Sequence, residues 1–413
     1  MSERPGSLRS LPRNVWVASA ASFFTDVSSE MLQNVLPLFL ANVLGVRTVT
    51  IGLIEGVAQS TASLVSLYAG ALTDRLQARK WLAVAGYAVS SCSKPFFYVA
   101  TSWPLVAGVR WADRVGKGIR TAPRDALIAE SIVPGQRGLA FGLHRGADTA
   151  GAVFGLLATL AVVYLAQRGA LELERETFQQ LVLVSLVPAF LAVLILAAGA
   201  KEVRALSSGP PVEPPSGSAL HSLGTPFKRF LLVAALFDLG NSSDAFLVLR
   251  AQERGMSVID VLWTLLAFNV VYALLSAPAG RLSDRIGRRH LIVAGWTIYA
   301  LIYLGFAVAS TPAHVVGLYL AYGAYYGLVM GTAKAFVADL VGPENRGVAY
   351  GAYYGVMAFL DLPASLIAGA LWQGVGGWAG FGPAAPFVFG AAMAAAATVL
   401  LVALVPTPKR SRR

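Results

Sequence analysis

The sequence predicts an all-α membrane protein: twelve transmembrane helices in two six-helix bundles related by a pseudo-two-fold axis, with both termini in the cytoplasm. Three observations lead there. Of the 413 residues, 56% are hydrophobic and 13% charged, where a soluble chain averages about 25% charged. Apolar stretches long enough to cross a bilayer as helices recur along the whole length, without the weak alternation of an outer-membrane barrel. The second half also repeats motifs of the first in the same order.

The apolar stretches cover roughly 15–43, 49–72, 81–101, 103–131, 138–165, 178–200, 227–250, 258–280, 290–310, 312–341, 346–371 and 384–405. With the N-terminus inside and each span changing sides, the inner segments carry 20 of the 33 Lys and Arg. The outer segments carry only Arg47, Arg168, Arg175, Arg250 and Arg254. A basic inner side is the usual mark of orientation, so the net charge of +11 reports topology and not a nucleic-acid partner. The first apolar stretch is too long for a cleavable signal peptide and lacks a small-residue cleavage pattern after it. The single cysteine, Cys92 in span three, excludes an internal disulfide and is expected to be a small packing residue.

Between spans six and seven runs KEVRALSSGPPVEPPSGSALHSLGTPFKR, rich in Pro, Ser and Gly. It reads as a cytoplasmic linker over 201–226, dividing an N-terminal bundle, 1–200, from a C-terminal bundle, 227–413. GALTDRLQARK at Gly70 returns as GRLSDRIGRRH at Gly280, and AESIVPGQRGLAFG at Ala129 returns as ADLVGPENRGVAYG at Ala338. VSSE at 27–30 has a weaker partner in NSSD at 241–244. Three matches in one order argue a duplicated six-helix unit. Such parallel repeats are a transporter architecture, with substrate bound near mid-membrane.

At this point the chain resembles the major facilitator superfamily over its whole length. That family's loop signature reads Gly-x-x-x-Asp-Arg-x-Gly-basic-basic. The C-terminal copy matches it at Gly280, Asp284, Arg285, Gly287, Arg288 and Arg289; the N-terminal copy keeps Gly70, Asp74, Arg75 and Arg79 but has Gln77 and Ala78. The stretch DRVGKGIRTAPRDA in span four resembles a prokaryotic subgroup of the family. The resemblance implies a cytoplasmic gate of ion pairs that biases a two-state equilibrium. In it Asp74, Arg75 and Arg79 engage Glu130 and Arg137, and Asp284, Arg285 and Arg289 engage Asp339 and Arg346. The plainer reading of these loops is a solvated, positive-inside connection.

The resemblance also implies that spans one, four, seven and ten line a central cavity. Ionisable groups within spans are the residues to weigh, since each costs roughly 2.5–3.5 kcal/mol at mid-bilayer. Span one carries Asp26 and Glu30, with Asn34 a turn further on. Span four carries Arg110, Asp113, Arg114, Lys117, Thr121 and Arg124 along one helical stripe, which must face protein or water. Depth places Asp26 and Glu30 to pair with Arg114 and Lys117. The intramembrane charges of this half balance, seven acids against seven bases. A permanently paired structural network is the bland alternative, although apolar packing holds helices together at less cost. Asp26 and Glu30 are the first candidates for proton coupling, Asp113 the third.

The C-terminal half carries Asp238, Asn241 and Asp244 on span seven, Lys334 on span ten and Asp361 on span eleven. Asp244 and Lys334 are expected to pair, which leaves Asp238 or Asp361 as a second proton or cation site. The string AYGAYYG occurs twice, at 321–327 and 349–355, and its glycines at a spacing of four suit close helix approach. Its tyrosines, Tyr322 and Tyr326 among them, are core packing or else an aromatic wall for a cationic ligand. His144 lies in the fifth span within a glycine ladder, Gly138, Gly142 and Gly146, as a proton relay or as packing. The histidines do not cluster, so no metal site is indicated; a GxxxxGK[ST] phosphate loop is missing, and neither cofactor nor enzyme activity is expected.

The expected function is proton-driven transport by alternating access in the inner (cytoplasmic) membrane by a monomer in the lipid bilayer. Its substrate class is small amphipathic or cationic compounds, moved outward in exchange for H⁺. Exporters of the drug branch usually carry a Gly-Pro motif in span five; here GADTAGAVFG has no proline. The runner-up is a symporter or exchanger for an organic anion gripped by Arg110, Arg114, Lys117 or Arg124. A non-transporting sensor of the same fold is the third reading.

Overall fold

The computed structural model describes residues 8–76, 78–132, 136–167, 169–203, 223–342 and 345–406. Its helices are α1 (Arg13–Gln33), α2 (Thr48–Leu76), α3 (Arg79–Ser93), α4 (Trp103–Ser131), α5 (Arg137–Ala166), α6 (Arg175–Gly199) and α7 (Thr225–Leu239). They continue with α8 (Ala245–Glu253), α9 (Val258–Ile286), α10 (Arg288–Val308), α11 (Pro312–Asp339), α12 (Arg346–Gln373) and α13 (Ala385–Leu404). Most of the expected linker, 204–222, lies outside the described residues.

Among the described residues, seven helices are long and apolar enough to cross a membrane. Large apolar side chains point away from the protein: Val308 is 78% exposed, Leu165 75% and Phe359 74%. Acyl chains cover such a surface; water does not. Cys92 is exposed as well, which corrects its expected place in the packed interior: it sits on the outward face of α3, while Ser91 and Ser93 on either side are buried.

Local chemistry sets the helix ends. Ser257 and Asp260 form a reciprocal capping box at the start of α9, and Thr311 accepts from the His314 amide at the start of α11. Gly287 joins α9 to α10 at φ +94°, a conformation that side chains with a Cβ rarely adopt, which accounts for glycine at this place in the loop motif.

Span seven is not one helix. α7 stops at Leu239, residues 241–243 are non-helical, and α8 restarts at Ala245. Gly240 makes the break possible, because its backbone lies against Gly390 of α13; a Cβ there would meet Met393 Cβ at 2.6 Å. The outer end of α1 is irregular too, with a turn at 34–35 followed by a short helical turn and the π-helix Phe39–Val43.

The chain forms two compact units. One comprises Met1–Gly45 and Thr61–Pro214, the other Val46–Ser60 and Pro215–Arg413. In the first, α1 packs on α5 and α6, and α3 on α4. Glycines allow the closest approaches: Gly86 and Gly116 bring the backbones of α3 and α4 together, and Gly151 and Gly155 bring α5 onto Phe23 and Val27 of α1. The expected ladder does not serve this purpose, since a Cβ on Gly138, Gly142 or Gly146 would meet nothing within 4 Å.

In the second unit, α11 packs on α9 and α10, and α13 on α7 and α10. Here Gly323 and Gly327 of the first AYGAYYG do form a close seam, against Phe268 and Leu275 of α9. Gly355 of the second string does not, and opens on empty space. The start of α2 belongs to this unit as well. Thr48 Oγ1 donates to Gly369 O at 3.1 Å, and Arg47 Nη2 to Gln373 O at 2.6 Å.

Replacing Gly116 with Ala gains about 0.5–1 kcal/mol of helix propensity but drives a Cβ to 2.6 Å from Ser90 N. Overpacking of this kind costs about 1–3 kcal/mol and should win. Thermal unfolding in detergent should show Gly116→Ala less stable than wild type and Gly355→Ala equal or more stable. The reverse order would refute the seam.

Candidate functional site

In the first unit, α4 presents its charged stripe to α1 and α3. Arg110, Asp113, Arg114 and Arg120 are buried, and Lys117 is exposed. Asp113 is the hub: it accepts from Ser90 Oγ, lies 3.6 Å from Arg114 Nε, and is within electrostatic reach of Lys94 and Arg110. Lys94, only 3% exposed, donates from Nζ to Ser28 Oγ at 2.6 Å and Ser29 Oγ at 3.2 Å. Ser29, Gln33, Lys94, Arg110 and Asp113 line a narrow recess together with Leu32, Leu36 and Phe97.

The acids of α1 meet this network differently from the expected direct pairing of Glu30 with Arg114. Glu30 accepts from Gln33 Nε2 and, at 2.8 Å, from Asn34 Nδ2. Gln33 in turn accepts from Arg114 Nη2 at 3.2 Å, so an amide carries the link between carboxylate and guanidinium. Amide geometry explains the insertion: Gln33 offers an acceptor to the cation and a donor to the anion at once. Asp26 is half-buried beside Gly151 and within electrostatic reach of Lys117, as is Glu30. Arg124 turns to its neighbour Asp125, at 2.9 and 2.8 Å, and donates to Ser22 Oγ at 3.1 Å. Arg120 lies over the Tyr87 ring, 4.8 Å from its centre.

Of the gate residues, Arg79 Nη2 lies 2.5 Å from Glu130 Oε1, with Arg79 buried. The side chains of Asp74, Arg75, Arg137 and Asp284 lie outside the described ones. In the second unit Asp339 is bound by Arg288, at 2.5 Å, a residue not named among its expected partners. Arg289 donates to the carbonyls of Leu401 and Val402 at the end of α13, where the helix dipole favours a cation. Arg285 and Arg346 are exposed.

The broken span organises the second unit's polar groups. Tyr299 Oη shares its single hydrogen between Asn241 Oδ1 at 3.1 Å and Gly240 O at 3.4 Å at the break. Asp244, exposed at the start of α8, accepts from Tyr322 Oη at 2.9 Å and Tyr326 Oη at 3.4 Å. This corrects the expected Asp244–Lys334 pair. Lys334, three turns along α11 from Tyr322, instead faces the Tyr354 ring at 5.6 Å. Around Tyr322 the rings of Tyr299, Tyr303, Tyr325 and Phe268 pack with centroids 5.6–6.3 Å away. Asp238 bonds Asn241 and faces the half-buried Asp361, and its Oδ2 is buried without a hydrogen-bond partner among the described residues.

Sequence reasoning counted Lys94 as a charge but did not give it a site, and it missed Ser90, Gln33 and the serines of VSSE. A lysine that ends span three after SSCS was the available signal. Removing one member of a buried ion network costs about 3–5 kcal/mol because its partners stay charged. Asp113→Asn should therefore unfold well below wild type, and Lys94→Met added to it should recover part of the loss. Strict additivity in that cycle would mean the two charges do not sense each other.

Comparison with known proteins agrees with this architecture. The major facilitator superfamily description matches residues 18–249 and 230–413. An uncharacterized MFS-type transporter of Methanocaldococcus jannaschii is 34% identical over 401 residues, 95% of each chain. Multidrug resistance protein 2 of Bacillus subtilis is 32% identical over 141 residues, 33% of this chain and 32% of that one. A crystal structure of the nucleoside transporter NupG shares the fold, with a TM-score of 0.80 at 12% identity, over 95% of this chain and 100% of that one. The chain belongs to the major facilitator superfamily, multi-pass membrane proteins that carry small molecules as secondary transporters by alternating access.

Proposed function

We propose that the chain exports small amphipathic or cationic compounds from the cell in exchange for protons. The proposal includes twelve spans, cytoplasmic termini, a monomer, and residence in the cytoplasmic membrane. The observation that carries it is Asp244: an exposed carboxylate on a broken span, held by two tyrosine hydroxyls, with the half-buried rings of Tyr326 and Phe268 next to it. Phenol donors bring no positive charge to it, which leaves that place to an organic cation, and ring faces attract such cations. The partial likeness to Multidrug resistance protein 2 supports the same class.

In the second unit proton coupling rests on carboxylates without a matched cation. Asp238 is within electrostatic reach of Asp361, and neighbouring carboxylates repel unless a proton or cation joins them. In the first unit Asp26 and Glu30 are the acids that exchange the proton, with Lys117 as the cation within electrostatic reach of both. The gate is Arg79 with Glu130 and Arg288 with Asp339, together with Asp74, Arg75, Arg137, Asp284, Arg285, Arg289 and Arg346.

One observation favours a second reading. Lys94, Arg110 and Arg114 gather around the one carboxylate of Asp113, and this local excess of cations is what an organic anion would use. A thermal-shift panel separates the two, because a bound ligand raises apparent stability. Ethidium and tetraphenylphosphonium should stabilise the purified protein and dicarboxylates should not; the opposite pattern would overturn the cation reading. In proteoliposomes an imposed pH gradient should drive ethidium efflux. Asp244→Asn should weaken its apparent affinity about tenfold, or ~1.4 kcal/mol. Asp26→Asn and Glu30→Gln should abolish gradient-driven efflux at unchanged expression.

A further inference from the structure

A hydrogen-bonded chain in the first unit lies apart from the acids named above. His144 of α5 is 4% exposed; its Nε2 lies 3.0 Å from Ser22 Oγ of α1, and its Nδ1 lies 3.5 Å from Asp148 Oδ2 one turn along. Ser22 Oγ also lies 2.9 Å from Tyr87 Oη of α3 and accepts from Arg124 Nη1 of α4 at 3.1 Å. Four helices therefore converge on one serine hydroxyl.

Hydrogen counting constrains this chain. Arg124 can only donate, so it occupies an acceptor position on Ser22. We assign the Tyr87 hydrogen to Ser22 as well, which sends the single hydrogen of Ser22 to His144 Nε2. That leaves the imidazole hydrogen on Nδ1, aimed at Asp148. Arg124 reaches the imidazole through Ser22, and Arg145 lies on its own helix. The other charged groups facing the pair are Asp26 of α1 and Asp125 of α4.

Asp148 Oδ1 is buried and has no hydrogen-bond partner among the described residues. A bare carboxylate oxygen in such a place is costly, and a bound proton removes the charge. The side chain as a whole is 17% exposed, so water can reach it.

We propose that Asp148 is a proton-binding site of the first unit. The proton resides on the carboxyl group, and His144 and Ser22 are positioning residues that aim the Nδ1–H at Oδ2. Binding forms one O–H bond on Asp148 and release returns that proton to water; the imidazole stays neutral in both states. The role of this site in the transport cycle rests on the proton-coupled reading, but its existence does not.

Infrared difference spectra of the protein in lipid nanodiscs, between mildly acidic and mildly alkaline buffer, test it directly. A carboxylic-acid carbonyl band should titrate in wild type, vanish in Asp148→Asn and return at a shifted position in Asp148→Glu. Ser22→Ala should move the pH at which that band titrates, which a purely structural serine would not do. A band unaltered by both Asp148 variants overturns the proposal. Wild-type ethidium efflux indifferent to a pH gradient, with the band still tied to Asp148, sinks the coupling reading and keeps the site.

Discussion

Asp113 is the anion that lets α4 hold its arginines inside a membrane protein. Lys94, Arg110 and Arg114 all act on it, and Ser90 donates to it from α3. Hydrocarbon cannot solvate ions, so each of these charges has to find its counter-charge within the protein. The requirement reaches the backbone: Ser90 comes within bonding distance only because Gly86 and Gly116 let the two helices touch. Helix packing and charge pairing in this unit are thus one constraint. A side chain at either glycine would separate Ser90 from Asp113 and leave the cations short of an anchor.

The second unit solves a different problem with different groups. Breaking span seven frees backbone carbonyls and amides that lipid cannot satisfy. Tyr299 takes the Gly240 carbonyl and Ser365 Oγ accepts from the Ser243 amide. Tyrosine suits the task because the ring packs like a hydrocarbon while the hydroxyl reaches the break. The backbone freed in the seventh span is thus served from the ninth and eleventh, while the aromatic-rich tenth supplies the phenols that bind Asp244 just beyond the break.

The fold was legible in the sequence because lipid imposes long apolar runs, and because duplication leaves repeated motifs such as GALTDR and GRLSDR. The break at 241–243 was not legible: NSSD looks like any polar turn of a helix, and only the Gly240–Gly390 contact, between residues 150 apart, explains it. Charged residues were legible as a set but not as pairs. Helical spacing places Arg114 on the face toward α1, yet it cannot say that Gln33 will lie between Arg114 and Glu30. Asp244 was matched to Lys334 by charge alone, while phenol hydroxyls, which carry no charge and so left no such signal, bind it. The glycine strings misled for a related reason. Spacing alone makes Gly323 and Gly355 equivalent, and only the neighbouring helix distinguishes them.

VSSE and NSSD place two carboxylates at matching points of a duplicated unit, and their surroundings have since diverged. Asp26, which precedes the first motif, corresponds to Gly240 before the second. With an acid at that place α1 runs on as a helix, and Glu30 lies within it, tied to the amides of Gln33 and Asn34. With glycine there the helix stops, and Asp244 stands at the N-terminus of a new one, α8. A helix N-terminus favours a carboxylate by about 0.3–1 kcal/mol without any cation, and the two phenols add neutral donors. Among the described residues the hydrogen-bond partners of Asp244 are thus neutral phenols, with no cation between them. Glu30, in a unit crowded with arginine and lysine, is held by side-chain amides instead, so acids at matching places in the repeat have come to different surroundings.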